Sequence, residues 1–169
     1  RFSVYENLKT FLEDENGNIQ ITLKPVAVKS LFEKVPNLTN TSLNNNNSNK
    51  SLDEMSLVTS KNHRNPTLQN LINKINFKKV IIMGSIGCKI SSIIRGESDI
   101  YICLSMPGQS APKDWDFAAP EAILKAAGGA ITNLDNNELC YGQSDFKQGG
   151  IIVASNNKLM HGSICSEIK

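Results

Sequence analysis

The spacing of apolar residues changes several times along the chain, and each change marks an element. SLVTS, residues 56–60, reads as a short strand, and in residues 66–75 Leu68, Leu71, Ile72 and Ile75 recur at helical spacing. KKVIIM, residues 78–83, is a continuous apolar run, the pattern of a strand buried on both faces. IGCKISSIIRG places Ile86, Ile90, Ile93 and Ile94 on one helical face, and SDIYICLS is the next strand. A helix is predicted from about Asp116 to Ala127, with Ala119, Ala122, Ile123 and Ala126 toward the core. Pro120 lies near its first turn and Gly128 and Gly129 stop it. GAITNL, a turn at Asp135–Asn137, GGIIVAS and a short final helix complete the series. Strands alternating with helices at this spacing predict an α/β layered fold with a largely parallel sheet.

The ends of the pattern differ from its middle. Residues 1–35 alternate loosely around an Asn16-Gly17 turn signal, which predicts strands or a hairpin with little core of their own. Residues 36–55 are rich in Asn and Ser with few apolar anchors, and predict a disordered surface loop. The 169 residues suffice for one ordinary domain with a real core.

Composition excludes more than it identifies. Eighteen Lys and Arg against 16 Asp and Glu give a net charge of +2, too little to draw nucleic acid or a membrane through bulk electrostatics. Any bound anion must be held locally. Cys88, Cys103, Cys140 and Cys165 show no zinc spacing and read as reduced, buried thiols. No run is long and apolar enough for a signal peptide or a membrane span, so the expectation is a soluble, cytoplasmic protein.

Three stretches can carry chemistry, and each has a plain alternative. Asp116, in APKDWDFAAP, is either a helix N-cap or a Mg²⁺ ligand set where a helix N-terminus attracts phosphate. Asp114, two residues earlier, reads as a solvated loop charge or an outer helper. MGSIGCK, residues 83–89, follows a strand and opens a helix. Gly84 and Gly87 let backbone N–H groups approach an anion, Ser85 offers a hydroxyl and Lys89 a charge, although a simple strand-to-helix turn also uses glycine. His63, in TSKNHRNP, sits where α/β sheets place ligands, or faces solvent.

The run from GSIGCK through WDFAAPEAILKAAGG, with the SKNHR loop, resembles the C-terminal half of the inositol monophosphatase superfamily. Within it the chain looks closest to the CysQ-like 3'(2'),5'-bisphosphate nucleotidases of cyanobacterial type, over about residues 56–156. The resemblance implies the C-terminal half of an αβαβα layered sandwich. It also implies Mg²⁺-dependent removal of the 3'-phosphate from 3'-phosphoadenosine 5'-phosphate or its sulfated form. By the same resemblance Asp116 is a metal ligand, while His63, Ser85 and Lys89 bind the phosphorylated nucleotide. Inositol monophosphatase, sugar-bisphosphate phosphatase and non-catalytic nucleotide-binding fragment are the alternatives.

The family's Asp-Pro-x-Asp-Gly-Thr run is absent, and the chain begins at Arg1. The expectation is therefore that residues 1–35 are the tail of an N-terminal domain's sheet and residues 56–169 the C-terminal domain. Alone, the chain is expected to be inactive, its partner being either a missing N-terminal half or a second copy of itself.

Overall fold

The computed structural model describes residues 50–60, 65–108 and 110–169, with the backbones of Phe11–Glu13 and Ile19–Ile21. The sheet consists of β3 (Ser56–Ser60), β4 (Lys79–Met83), β5 (Ile100–Ser105), β6 (Ala130–Asn133) and β7 (Gly150–Ser155), in the spatial order β4-β3-β5-β7-β6. β3 pairs in parallel with β4 and β5, whereas β7 runs antiparallel to both of its neighbours. Four strands thus share one direction, in keeping with the largely parallel sheet expected, and β7 is the exception.

Among the described residues four helices cover the two faces. α1 (Pro66–Ile75) and α4 (Lys158–Ile168) pack Leu68, Ile72, Ile164 and Ile168 against Leu57, Ile100, Ile102 and Val153. α2 (Ile86–Ile94) and α3 (Asp114–Ala126) pack Ile90, Ile93, Phe117 and Leu124 against Val58, Tyr101, Ile131 and Ile152. The alternation of Ile100 and Ile102 with Tyr101 and Cys103 on β5 shows the two-residue period dividing one strand between two cores.

The helix boundaries follow from local chemistry. α1 spans the ten residues expected, with Asn65 accepting the Leu68 N–H at 2.8 Å and Asn76 ending it at φ 58°, ψ 52°. α3 starts at Asp114, two residues before the expected start, so Asp116 lies inside the first turn. Its end needs Gly129 for space, because a Cβ there would come within 2.5 Å of the Ser155 carbonyl oxygen.

Three expectations need correction. KKVIIM forms β4, at the edge of the sheet among the described residues, with Val80 38% and Ile82 49% exposed, while Ile81 and Met83 on its other face pack against the core of α2 and α3. Cys103 and Cys165 are buried and free, but Cys88 and Cys140 are exposed, since neither faces a core cluster. Residues 50–55, placed in the expected loop, are packed instead: Lys50 binds Asp99 at 3.0 Å, and Leu52 and Met55 enter the core around a 3-10 turn at Leu52–Glu54. Burying two such side chains contributes about 1.5–3 kcal/mol each, enough to offset ordering a few residues.

The rest of that expected loop, residues 36–49, lies outside the described residues. In the opening segment, β1 (Phe11–Glu13) and β2 (Ile19–Ile21) pair antiparallel with Phe11 opposite Ile21, and the Asn16-Gly17 turn signal between them lies outside the described residues. Among the described residues no helix is long and apolar enough to cross a membrane.

Candidate functional site

The carboxyl ends of β3, β4, β5 and β6 lie at one end of the sheet, facing the start of β7. The connection leaving β3 leads to α1 on one face. Those leaving β4 and β5 lead to α2 and α3 on the other. Such a divergence opens a crevice at the carboxyl end, the usual ligand position in an open α/β sheet. The N-termini of α2 and α3 both point to this end, and the two helices pack together.

At α2 the turn is built by Ser85 and Lys89. Ser85 is the N-cap, its hydroxyl oxygen accepting the Cys88 N–H at 3.2 Å, which leaves its O–H free to donate outward. The N–H groups of Ile86 and Gly87 lie in the first turn and have no acceptor within the helix. Adjacent free donors at the positive end of a helix form a cradle for an anion. Lys89, expected to touch substrate, is only 1% exposed. Its ammonium donates to the Gly84 carbonyl at 2.6 Å and lies 5.5 Å from the centre of the Tyr101 ring. It therefore braces the turn from beneath, and burial lowers its pKa.

At α3 the geometry joins both readings of Asp116. Its Oδ2 accepts the Lys113 N–H at 2.8 Å, and its own N–H donates to the Lys113 carbonyl at 2.9 Å. The side chain is exposed, and Oδ1 has no protein donor among the described residues. One oxygen thus secures the helix start while the other is available. Asp114, by contrast, is buried and bonded to Gly142 and Gln148, so it is not a solvated loop charge. The lysine beside it, Lys113, turns its ammonium to the Asp145 carbonyl at 2.6 Å.

Between the two turns lies Tyr101, a residue the sequence reading did not single out. Ser60 and Cys103 flank its hydroxyl, and Asp116 is near enough to act on it electrostatically. Burial, more than these neighbours, holds its pKa well above the ordinary tyrosine value, so it stays a neutral phenol. His63 lies outside the described residues. The structure therefore brings Ser85 and Asp116 to one end of the sheet and places Lys89 behind them.

Among the described residues no group of three or more His, Cys, Asp and Glu side chains could hold a metal ion. Asp116 fits a hard cation as a single carboxylate donor, but the described residues do not make a full cage. A cleft of about 270 Å³, lined by Lys125, Thr132, Lys158 and His161, lies beside β6, the outermost strand of this sheet among the described residues. Neither Ser85 nor Asp116 lines it.

Comparison with known proteins agrees with this architecture. The chain is 33% identical over 103 residues to the mouse protein named 3'(2'),5'-bisphosphate nucleotidase 1, covering 60% of this chain and 32% of that one. It thus spans about a third of the length of that curated relative. Among solved structures, CysQ of Bacteroides thetaiotaomicron superposes with a TM-score of 0.52 at 25% identity, over 65% of this chain and 40% of that one. Inositol monophosphate-bound SaIMPase-II superposes with a TM-score of 0.54 at 20% identity, over 71% and 43%, a likeness of fold. The inositol monophosphatase family matches residues 21–169, further toward both ends than the motifs alone reach, and the chain belongs to that family.

Proposed function

We propose that this chain is the substrate-binding part of a Mg²⁺-dependent phosphomonoesterase that removes the 3'-phosphate of adenosine 3',5'-bisphosphate or its sulfated form. The observation that carries this reading is the pairing, at one end of one sheet, of the Ser85 anion cradle with the outward Oδ1 of Asp116. The nucleotide is chosen over inositol phosphates because curated relatives from mouse and Dictyostelium discoideum bear the name bisphosphate nucleotidase.

In this reading the Ser85 hydroxyl and the N–H groups at the start of α2 hold the phosphate oxygens. The Lys89 charge beneath Gly84 favours the same anion without touching it. Asp116 presents one oxygen to the metal, and further carboxylates must come from outside the described residues. Bound Mg²⁺ supplies polarisation of the phosphoryl group and a more acidic water. His63 is assigned to the substrate by resemblance alone.

The test is phosphate release by the protein as isolated from its own cells. Mg²⁺-dependent release from adenosine 3',5'-bisphosphate should exceed that from inositol 1-phosphate. Asp116→Asn should lower kcat roughly 10³-fold, the scale of several kcal/mol of metal-borne stabilisation. A clear preference for inositol 1-phosphate would reject the nucleotide, and undiminished turnover by the variant would reject the metal role.

A further inference from the structure

The first turn of α3 is gripped by the segment that follows β6. The Asp114 carboxylate accepts the Gly142 N–H at 2.7 Å and the Gln148 side-chain Nε2 at 2.6 Å. Gln148, also buried, uses the same nitrogen to bond the Cys140 carbonyl at 2.7 Å. The backbones are joined as well: the Asp114 N–H donates to the Phe146 carbonyl and the Gln148 N–H to the Pro112 carbonyl, each at 2.9 Å. Lys113 and Lys147 form an isolated antiparallel bridge between them.

We propose that Asp114 and Gln148 are positioning residues for Asp116. Their bonds fix the Lys113 backbone, and the Lys113 N–H fixes Oδ2 of Asp116, so that Oδ1 keeps its outward direction. The proposal rests on the metal-binding role given to Asp116 above.

The Lys113–Asp116 bond is exposed to solvent, at a helix end, and opens readily by itself. Asp114 changes this because it is buried at 9% exposure and its two donors are short and charge-assisted. Opening the turn would leave a buried carboxylate without either donor, a much larger cost than one surface bond. Within this segment Phe146, whose N–H closes a turn on the Gln143 carbonyl at 2.9 Å, has φ 54°, a left-handed conformation unfavourable for a bulky residue. Phe146 in turn lies 6.0 Å, ring centre to ring centre, from Trp115, the only tryptophan in the chain. A natural fluorophore therefore sits on the clasp, one residue from Asp116.

The experiment is amide hydrogen exchange on the full 169-residue chain and its Asp114→Asn and Gln148→Met variants. It is paired with Mn²⁺ titrations read by Trp115 emission. Each variant should speed exchange of the Lys113 amide tenfold or more while Ile102 and Val153, in the core strands, keep their rates. The double variant should add little to either single one, because the two residues act through one bond. Mn²⁺ affinity should fall 10- to 100-fold in Asp114→Asn, the range for residues that orient a ligand from behind.

Unchanged Lys113 exchange would overturn the proposal. So would an equal rise at all amides, which marks a generally loosened fold, or Mn²⁺ affinity kept in Asp114→Asn but lost in Asp116→Asn. If Asp116→Asn leaves Mn²⁺ binding untouched, the metal reading of Asp116 fails separately, and Lys113 exchange still decides whether the clasp holds.

Discussion

His161 offers a quantitative test of how the α4 side of the fold is held. Its ring is 1% exposed and joins three elements: Nε2 meets the Thr132 hydroxyl on β6 and Nδ1 the Ser155 hydroxyl at the end of β7, each at 2.8 Å. Burial lowers its pKa to about 4, against an ordinary value of 6.5. A base whose folded pKa is depressed takes up its proton first in the unfolded chain. Its contribution is therefore complete above pH 6.5 and is lost as pH falls toward 4. The full shift corresponds to about 3 kcal/mol, of which about 2 kcal/mol is lost by pH 5.

Urea unfolding at pH 7.5, 6 and 5, on the chain and on His161→Gln, isolates this group, because all other titrations are common to both. The variant should be less stable at pH 7.5, having lost one of two buried hydrogen bonds. The gap should then narrow by about 2 kcal/mol on going to pH 5. Parallel pH profiles would show that His161 does not stay neutral in the fold, and the reasoning from burial would be refuted.

Other predictions follow from packing and exposure. Gly129→Ala sets a Cβ 2.5 Å from the Ser155 carbonyl oxygen and 2.6 Å from Leu124 Cδ1, and should cost roughly 1–3 kcal/mol in urea unfolding. Unchanged stability would mean that β7 and α3 can separate there. Cys88 and Cys140 should react with an aromatic disulfide in the native protein, and Cys103 and Cys165 only after denaturant is added. Rapid reaction of all four would contradict the two buried clusters. Asn76→Gly, at a left-handed helix end, should raise stability by up to about 1 kcal/mol, and a loss on thermal melting would count against strain at that residue.

The elements legible in the sequence were those whose pattern had one interpretation. α1 announced itself by apolar spacing, and its observed bounds match, with Asn65 capping it and Pro66 at its first position. The apolar run of β4 carried no such marker: a strand buried on both faces and an edge strand with Val80 and Ile82 exposed read alike until the sheet order is known. Composition also misled at residues 50–55, where a general excess of Asn and Ser hid the two anchors Leu52 and Met55.

At the candidate site, Ser85 and Asp116 stand out in the sequence because each lies at a strand-to-helix or loop-to-helix junction, Ser85 directly after Gly84. Lys89 was found by residue type, but its direction was not, since only the packed Tyr101 and the Gly84 carbonyl decide where its ammonium goes. Asp114 and Gln148 are separated by 34 positions and meet through the return of the chain after β6. Local sequence holds no sign of that meeting. The pattern WD pointed to Asp116, but what fixes Asp116 in place lies one loop away.

In the proposed function, phosphate and metal meet where α2 and α3 begin. The most direct test is an amide chemical-shift map of the full chain titrated with adenosine 3',5'-bisphosphate and Mg²⁺. The shifts should fall on residues 84–89 and 113–116. Shifts gathered instead around Lys125, Lys158 and His161, in the cleft beside β6, would rule this out.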